Sequence, residues 1–364
     1  MFKSLSLKVI LFGFIFTFFS SFGQSFFIGL FNNSIRSELS ISHGQFGSIY
    51  ASATLLSSLV LIWIGKKIDD MSAFKFSLFV IVLFSFASYF FSTIKIVPLL
   101  FVGIFLLRLS GQGLMSHTSS TTVSRYFEKT RGRALSISWF GLSTAEFILP
   151  VFIVFLLTVT SWQNIWISIS LVLIIFLPII SFVLIKNVTL ETRENSLVTK
   201  NIRKKIKQWK RVEVLKDYRF YIISLNMLAM PSIATGVFVY QSFILSSKNW
   251  GPFVIAQSFM VYSVMSVITL TFAGFLIDKF SSRRLLIFMN IPLFLSAVIL
   301  AKFNSELSSF VFFAFVGITN GLANVLGSSI WAEIYGVKFI GSVKALSISL
   351  MVFATASGTA IFGI

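Results

Sequence analysis

Long apolar runs alternate with short polar breaks from one end of the chain to the other. The apolar stretches fall at 7–31, 46–64, 76–93, 98–124, 134–157, 163–185, 219–245, 252–277, 284–301, 308–332 and 341–363. Each is close to the ~20 residues that a helix needs to cross a ~30 Å hydrocarbon layer. The pattern predicts an all-α membrane protein with eleven spans. The first run follows a short basic start, Met1 to Lys8, as a secretory signal would. It is longer than a signal's apolar region, and Gly23, Gln24 and Ser25 continue it without a cleavage site, so it reads as a span.

One region breaks the rhythm. Between Lys186 and Tyr218 no run is long enough to span. There Ile202, Ile206, Trp209, Val212 and Leu215 recur at helical spacing with cations between them. That is the pattern of a basic amphipathic helix lying on a membrane surface, with anionic lipids as its partner. It divides the chain into an N-terminal bundle, 1–186, a linker, 187–217, and a C-terminal bundle, 218–364.

Composition agrees with the hydropathy. The chain is 56% hydrophobic with 45 phenylalanines and only 12% charged residues, and its mean hydropathy is +0.91. Soluble domains carry about 25% charged residues. The absence of cysteine excludes disulfides and thiolate metal sites. His117 has no acidic neighbour in the sequence, so no metal site is expected, and no phosphate-cradling Gly-x-x-x-x-Gly-Lys-Ser/Thr loop points to ATP or another cofactor. The formal charge of +18 raises the question of nucleic acid. Its distribution answers it. Of the 30 lysines and arginines, 25 fall in segments on one side, four (Arg36, Lys95, Lys248, Lys302) on the other, and Arg108 lies inside a span. The positive-inside rule then puts the N-terminus in the cytoplasm and makes the charge topological, with no nucleic-acid partner.

The two halves repeat. Gly65 to Lys75 reads GKKIDDMSAFK, and Gly274 to Arg284 reads GFLIDKFSSRR, at an offset of 209. Arg133-Ala-Leu-Ser-Ile-Ser opens the fifth span and Lys344-Ala-Leu-Ser-Ile-Ser the eleventh, at an offset of 211. Gly113 matches Gly321 at 208, and Ser119-Ser120 matches Ser328-Ser329 at 209. Landmarks recurring in order at one offset indicate two parallel-repeat bundles related by an axis along the membrane normal.

At these residues the chain resembles a major facilitator superfamily transporter. Gly274, Asp278, Lys279, Arg283 and Arg284 resemble the superfamily's Gly-x-x-x-Asp-Arg/Lys-x-Gly-Arg-Arg/Lys signature, with Ser281 in place of its glycine. Gly65 and Asp69 keep part of the first copy, where Asp70 replaces the cation and Ser72 the glycine. Arg108-Leu-Ser-Gly-Gln-Gly is similar to the fourth-span signature. The Gly-Gln-Ser-Phe-Phe start, the Arg-Gly-Arg-Ala-Leu loop and Ser161-Trp162-Gln163 resemble bacterial members of the monocarboxylate-porter-like branch. The resemblance implies two six-helix bundles, of which the second is incomplete here with five spans. It also implies a monomer in the inner membrane, a latch made by Gly65, Asp69, Gly274, Asp278, Lys279, Arg283 and Arg284, and alternating access.

The chemistry rests on a few polar groups in the spans. Arg108 and Glu146 are each ~15 Å deep at 1.5 Å per residue on neighbouring spans. An unpaired charge there is costly, so the two are expected to pair, either as a static brace or as a substrate- and proton-coupled pair. Arg108, Gln112, Ser116, Ser119 and Val123 share one helical face, and Asn320, Asn324 and Ser328 another. Gly317 and Gly321 serve either a cavity or close packing. Gln24, Asn226 and Gln241 are further candidates for substrate contact. The reading is a secondary transporter, not an enzyme, for a small organic anion such as a carboxylate, working as a proton-coupled symporter. The alternatives are a proton-driven exporter of apolar compounds and a transporter-like receptor without flux. The cysteine-free chain allows a clean test of orientation. A cysteine replacing Asn201 should resist an impermeant thiol reagent in whole cells and one replacing Ser247 should react; the reverse pattern would invert the topology.

Overall fold

The computed structural model describes residues 4–186, 188, 207–239, 244, 247–251 and 254–362. Eleven helices among them are long and apolar enough to cross a membrane. Spans one to six are Leu5–Gly29, Gly44–Asp69, Ala73–Ser92, Val97–Tyr126, Arg131–Val159 and Trp162–Ile185. Spans seven to eleven are Tyr218–Phe238, Gln257–Phe280, Ser282–Lys302, Glu306–Tyr335 and Ile340–Gly358. Serines start several of them. Ser42 forms a reciprocal capping box with Gln45 at span two, and the Ser72 and Ser161 hydroxyls accept from backbone N–H groups at spans three and six. Such side chains supply acceptors that the first helical turn lacks.

The packing repeats as the sequence does. Span one lies against five as seven lies against eleven, and span two lies against eleven as eight lies against five. The first pair of contacts builds each bundle, and the second joins the two. Small residues set the distances. Spans three and six meet where the Ser85 and Ser170 hydroxyls each reach the other's backbone carbonyl, at 2.9 and 2.8 Å. In the second bundle, a Cβ on Gly321 would come within 2.8 Å of the Ser266 carbonyl, so this glycine serves close packing of span ten on eight. Large apolar side chains such as Leu225, Phe294, Ile287 and Trp63 point outward, as lipid-facing positions do.

The face where span one begins, here the N-terminal face, is closed. Val9, Ile10, Val123, Phe127, Ala134 and Leu135 of the first bundle are buried within the core of the second. They lie toward the N-terminal-face ends of spans one, four and five. Ser124 Oγ donates to the Ser328 carbonyl at 3.3 Å, and Trp139 Nε1 donates to Ser328 Oγ at 3.0 Å, both across the bundle boundary.

The linker differs from its expected form. Ile202 and Ile206, and Gln241 in the seventh apolar run, lie outside the described residues. Of the rest, only Arg211–Leu215 is helical. Trp209 stacks edge-on against Tyr335 with ring centroids 5.5 Å apart, and its backbone N–H donates to the Tyr335 carbonyl at 3.0 Å. Arg211 donates to the Ile62 carbonyl at 3.2 Å. The buried apolar residue is Val214, whereas Val212 is 64% exposed. The predicted apolar stripe fails here because the backbone enters the helix only at Arg211 and Trp209 finds a protein partner. Asp217 closes the segment on Arg219 at 2.7 Å, and the Arg219 hydrogen bond holds its carboxyl below the usual carboxylate range.

The glycine contacts yield a simple comparison. Gly321→Ala should lower the melting temperature of the detergent-solubilised protein, since overpacking costs about 1–3 kcal/mol. Gly47→Ala, where no atom lies within 4 Å of the new methyl, should leave it unchanged. Equal melting curves for the two variants would contradict the packing described.

Candidate functional site

Two helical irregularities meet in the first bundle. Span four is α-helical over Val97–Leu107 and Ser116–Tyr126 but takes the wider π-helical turn over Arg108–Met115. Span one stops at Ser20, passes through a 3₁₀ turn at Ser21–Gly23, becomes extended at Gln24 and resumes at Ser25. The breaks touch through glycine. A Cβ on Gly23 would come within 2.7 Å of Gly111 Cα and of Gln112 N. Irregular backbone at this depth persists only where it is buried in protein or lines a cavity, and π turns concentrate at functional sites.

Arg108 is fully buried at this crossing. Its Nη1 donates to the Gly23 carbonyl at 3.1 Å and its Nη2 to Thr355 Oγ1 of span eleven at 3.4 Å. Its guanidinium lies 5.3 Å from the centroid of the Tyr50 ring of span two, and the Tyr50 hydroxyl bonds Ser25 Oγ at 2.9 Å. Among the described residues Arg108 Nε, Gln112 Oε1, Thr54 Oγ1 and Ser116 Oγ are buried without a partner. Each such atom costs about 1–3 kcal/mol when left unsatisfied, so the crossing is suited to a polar guest. Gln24 is half-buried at the break itself.

The expected Arg108–Glu146 pair does not form. The four ion pairs among the described residues are Arg125–Asp69, Arg133–Asp278, Lys207–Glu213 and Arg219–Asp217. Depth placed Arg108 and Glu146 at one level; helix azimuth separates them. The π segment packs against spans one, two, three and eleven, whereas span five packs against one, eight and ten and meets span four mainly beyond the π segment, over Ser116–Tyr126. Glu146 lies within electrostatic reach of Tyr262 of span eight, and its Oε2 is buried with no hydrogen-bond partner among the described residues.

The remaining candidates divide. Gln112 stays with Arg108. Asn320 donates to Ser266 Oγ at 3.0 Å, Asn324 lies 3.5 Å from Asn320 Oδ1, and Asn226 accepts from Asn290 at 2.8 Å, so these three serve contacts inside the second bundle. Ser119 and Val123 do not share the Arg108 face. Ser119 donates to the Gly13 carbonyl at 2.9 Å, and Val123 packs on Gly13. The π turn takes more residues per turn than an α-helix and shifts the phase of everything after it, so Ser120 and Ser124 take the inter-bundle positions instead.

Two aspartates close the N-terminal face. Asp69, at the end of span two, accepts from the Gly341 and Ser342 N–H groups at 2.8 and 2.6 Å and from the Ser342 hydroxyl at 2.5 Å. Arg125 pairs with it and also donates to the Ile68 carbonyl at 2.9 Å. Asp278, near the end of span eight, accepts from the Gly132 and Arg133 N–H groups at 2.8 and 3.3 Å and from Arg133 Nε at 2.8 Å. Each carboxylate therefore caps the start of a span in the other bundle, where unpaired N–H groups and the helix dipole favour negative charge. Gly65 and Gly274 permit the approach. A Cβ on Gly65 would lie 2.8 Å from Ala345 Cβ, and one on Gly274 would lie 3.0 Å from Arg133 Cα. His117 Nε2 also donates to the Gly65 carbonyl at 2.9 Å.

This arrangement corrects the expected latch. Lys279, Arg283 and Arg284 do not meet Asp278. Arg283 donates to the Glu333 carbonyl at 3.0 Å, Lys279 lies over the Phe280 ring at 5.2 Å, and Lys279 and Arg284 line a cavity of about 570 Å³ with Glu128 and Glu333. The latch partners missed by sequence reasoning, Gly132-Arg133 and Gly341-Ser342, recur at the same offset of 209 as the two aspartates. That recurrence was a usable signal. Tyr50, Thr54 and Thr355 carried none, because single hydroxyl residues are common in these spans.

Comparison with known proteins follows the same lines. Residues 13–362 match the family profile described as Major Facilitator Superfamily. The solved structure of the human organic anion transporter MFSD10 (TETRAN) is similar, with a TM-score of 0.69 at 11% identity, covering 99% of this chain and 98% of that one. No curated protein matches the sequence.

The capping geometry makes a direct prediction. Hydrogen bonds to a charged group contribute about 1.5–3 kcal/mol. Asp69→Asn or Asp278→Asn should therefore raise thiol labelling of a buried Ser120→Cys reporter about tenfold, and the double variant should raise it further. Unchanged labelling would show that neither aspartate holds the face shut.

Proposed function

Because the chain belongs to the Major Facilitator Superfamily, a family of secondary transporters, we propose that it moves a small organic anion across the membrane and that Arg108 holds the anion. The observation that carries this reading is the state of Arg108. It is fully buried, and among the described residues it meets the Gly23 carbonyl, the Thr355 hydroxyl and the Tyr50 ring and hydroxyl but no carboxylate, and keeps an unpartnered Nε. A buried cation without a counter-ion is unfavourable. An anionic substrate supplies the missing charge, and the planar guanidinium offers a carboxylate two parallel hydrogen bonds. Thr355 of span eleven joins the same site to the second bundle, so substrate bound there senses both bundles. The similar human protein is described as an organic anion transporter. At 11% identity it lends the fold, and the substrate class rests on Arg108.

Glu146 is the proposed proton carrier of a symporter. It is a mid-span carboxylate with a buried oxygen that has no partner among the described residues, and span eight of the other bundle lies against its helix. Substrate and proton would then occupy separate places, joined through span one, which packs on both. The rival reading, a proton-driven exporter of apolar compounds in which an Arg108–Glu146 pair handles only protons and phenylalanines line the site, rests on that pair, and no such pair forms among the described residues. The lysine and arginine asymmetry supports a cell-membrane protein whose N-terminal face is cytoplasmic. The exposed Val212 and the cations around it suit contact with anionic headgroups on that face.

Purified protein in liposomes tests the reading with radiolabelled acetate, lactate and benzoate, with and without an imposed pH gradient. Arg108→Lys should lose at least about tenfold in uptake, because lysine keeps the charge but not the fork. Glu146→Gln should abolish accumulation driven by the gradient while keeping exchange of internal for external substrate, which needs no net proton movement. Full accumulation by Arg108→Lys would refute the anion site, and full accumulation by Glu146→Gln would refute the proton role.

A further inference from the structure

A second buried cation lies on the same axis. Lys344, in the first turns of span eleven, is 1% exposed. Its Nζ donates to the Ser120 carbonyl at 2.7 Å and to Ser124 Oγ at 2.6 Å, both on span four of the other bundle. An ammonium has three N–H donors, and only these two acceptors are found among the described residues. Among the described residues no carboxylate pairs with it, and the charged and titratable groups that face it are Arg125, Arg131 and His117. Arg133, which opens the matching Ala-Leu-Ser-Ile-Ser run of the first repeat at an offset of 211, is paired with Asp278, whereas the capping contacts at an offset of 209 set the apolar Leu135 opposite Lys344. Lys344 is therefore not the second copy of a latch cation.

Its position relative to Arg108 is regular. Thr355, which touches Arg108, is eleven residues further along the same helix, or about 16 Å at 1.5 Å per residue. On span four, Arg108, Gln112, Ser116, Ser120 and Ser124 follow one another at every fourth residue. The first three each present a buried polar atom with no partner, and the last two hold Lys344. A row of unsatisfied polar groups thus runs from one uncompensated cation toward another. The boundary that buries Lys344 is the one that must part when the N-terminal face opens. At that moment the ammonium loses both acceptors and faces the widening space.

We propose that Lys344 is a second station for the transported anion, which receives it from Arg108 when the N-terminal face opens. The inference rests on the reading that Arg108 binds an organic anion. A single ammonium at the exit suits a small anion with one charged head, held less tightly than by the guanidinium fork and so released to that side.

The test uses the full chain in liposomes with the face unlatched by Asp69→Asn and a Ser349→Cys reporter placed between the two cations. Labelling rates are compared for an anionic sulfonatoethyl and a cationic trimethylammonium-ethyl methanethiosulfonate, with and without millimolar benzoate. With Lys344 present, the anionic reagent should be favoured and benzoate should slow labelling. Lys344→Gln should reduce the anionic preference about tenfold and remove the benzoate effect, while Lys344→Arg keeps both. If Lys344→Gln does not fold, Lys344→Met carries the same comparison. An unchanged preference and unchanged benzoate protection in the neutral variant would overturn the proposal and leave Lys344 as a brace of the closed face. The parent reading fails separately, if Arg108→Gln takes up benzoate from the opposite face as well as the unaltered chain does.

Discussion

A carboxylate set against the first N–H groups of a helix in the other bundle is the contact on which the arrangement of this protein turns. It occurs twice, at Asp69 against Gly341 and Ser342 and at Asp278 against Gly132 and Arg133. Each bond is reversible. Helix-start N–H groups and aspartates are both well hydrated when exposed, so parting costs less than it would for an apolar seam. The same contact also requires backbone proximity, which explains glycine at all four positions, Gly65, Gly132, Gly274 and Gly341. An apolar layer from spans one, four and five is buried on the same face as the latches.

Deeper in the membrane layer the same rule, that buried polar groups require partners, is met only in part. Arg108 is solvated by broken backbone, a hydroxyl and an aromatic face in place of a carboxylate. Breaking span one frees the Gly23 carbonyl from the helical ladder, and the π turn of span four carries the guanidinium toward it. Both distortions weaken local helix, and both face the same point. Their joint effect is a cation held in place yet short of acceptors, a state that an anion relieves. Lys344 repeats the condition nearer the N-terminal face, held by span-four acceptors that it keeps only while the bundles touch.

Cation and acid are distributed over different inter-bundle contacts. Arg108 belongs to the side where spans two and four meet eleven, and Glu146 to the side where span five meets eight. Among the described residues no bond links the two side chains, so under the proposed function coupling between anion and proton would run through movement of the bundles.

The linear chain determined whatever depends on position along it. Hydropathy gave eleven spans, because crossing an apolar layer needs a fixed length of apolar helix. The repeat located both aspartates and both crossing glycines, because duplicated bundles keep their landmarks at a constant offset. What it did not determine was azimuth. Arg108 and Glu146 share a depth, but which neighbour each faces depends on the rotation of two helices and on their neighbours, and a π turn of eight residues rotated everything downstream of Arg108. Ser119 and Val123 were thereby exchanged for Ser120 and Ser124. Trp209 found Tyr335, not lipid, for a related reason: its periodicity was helical while its backbone was not. Partners drawn from distant spans, Thr355 for Arg108 and span four for Lys344, exist only once the two bundles have docked, and that docking was the decision of tertiary structure alone.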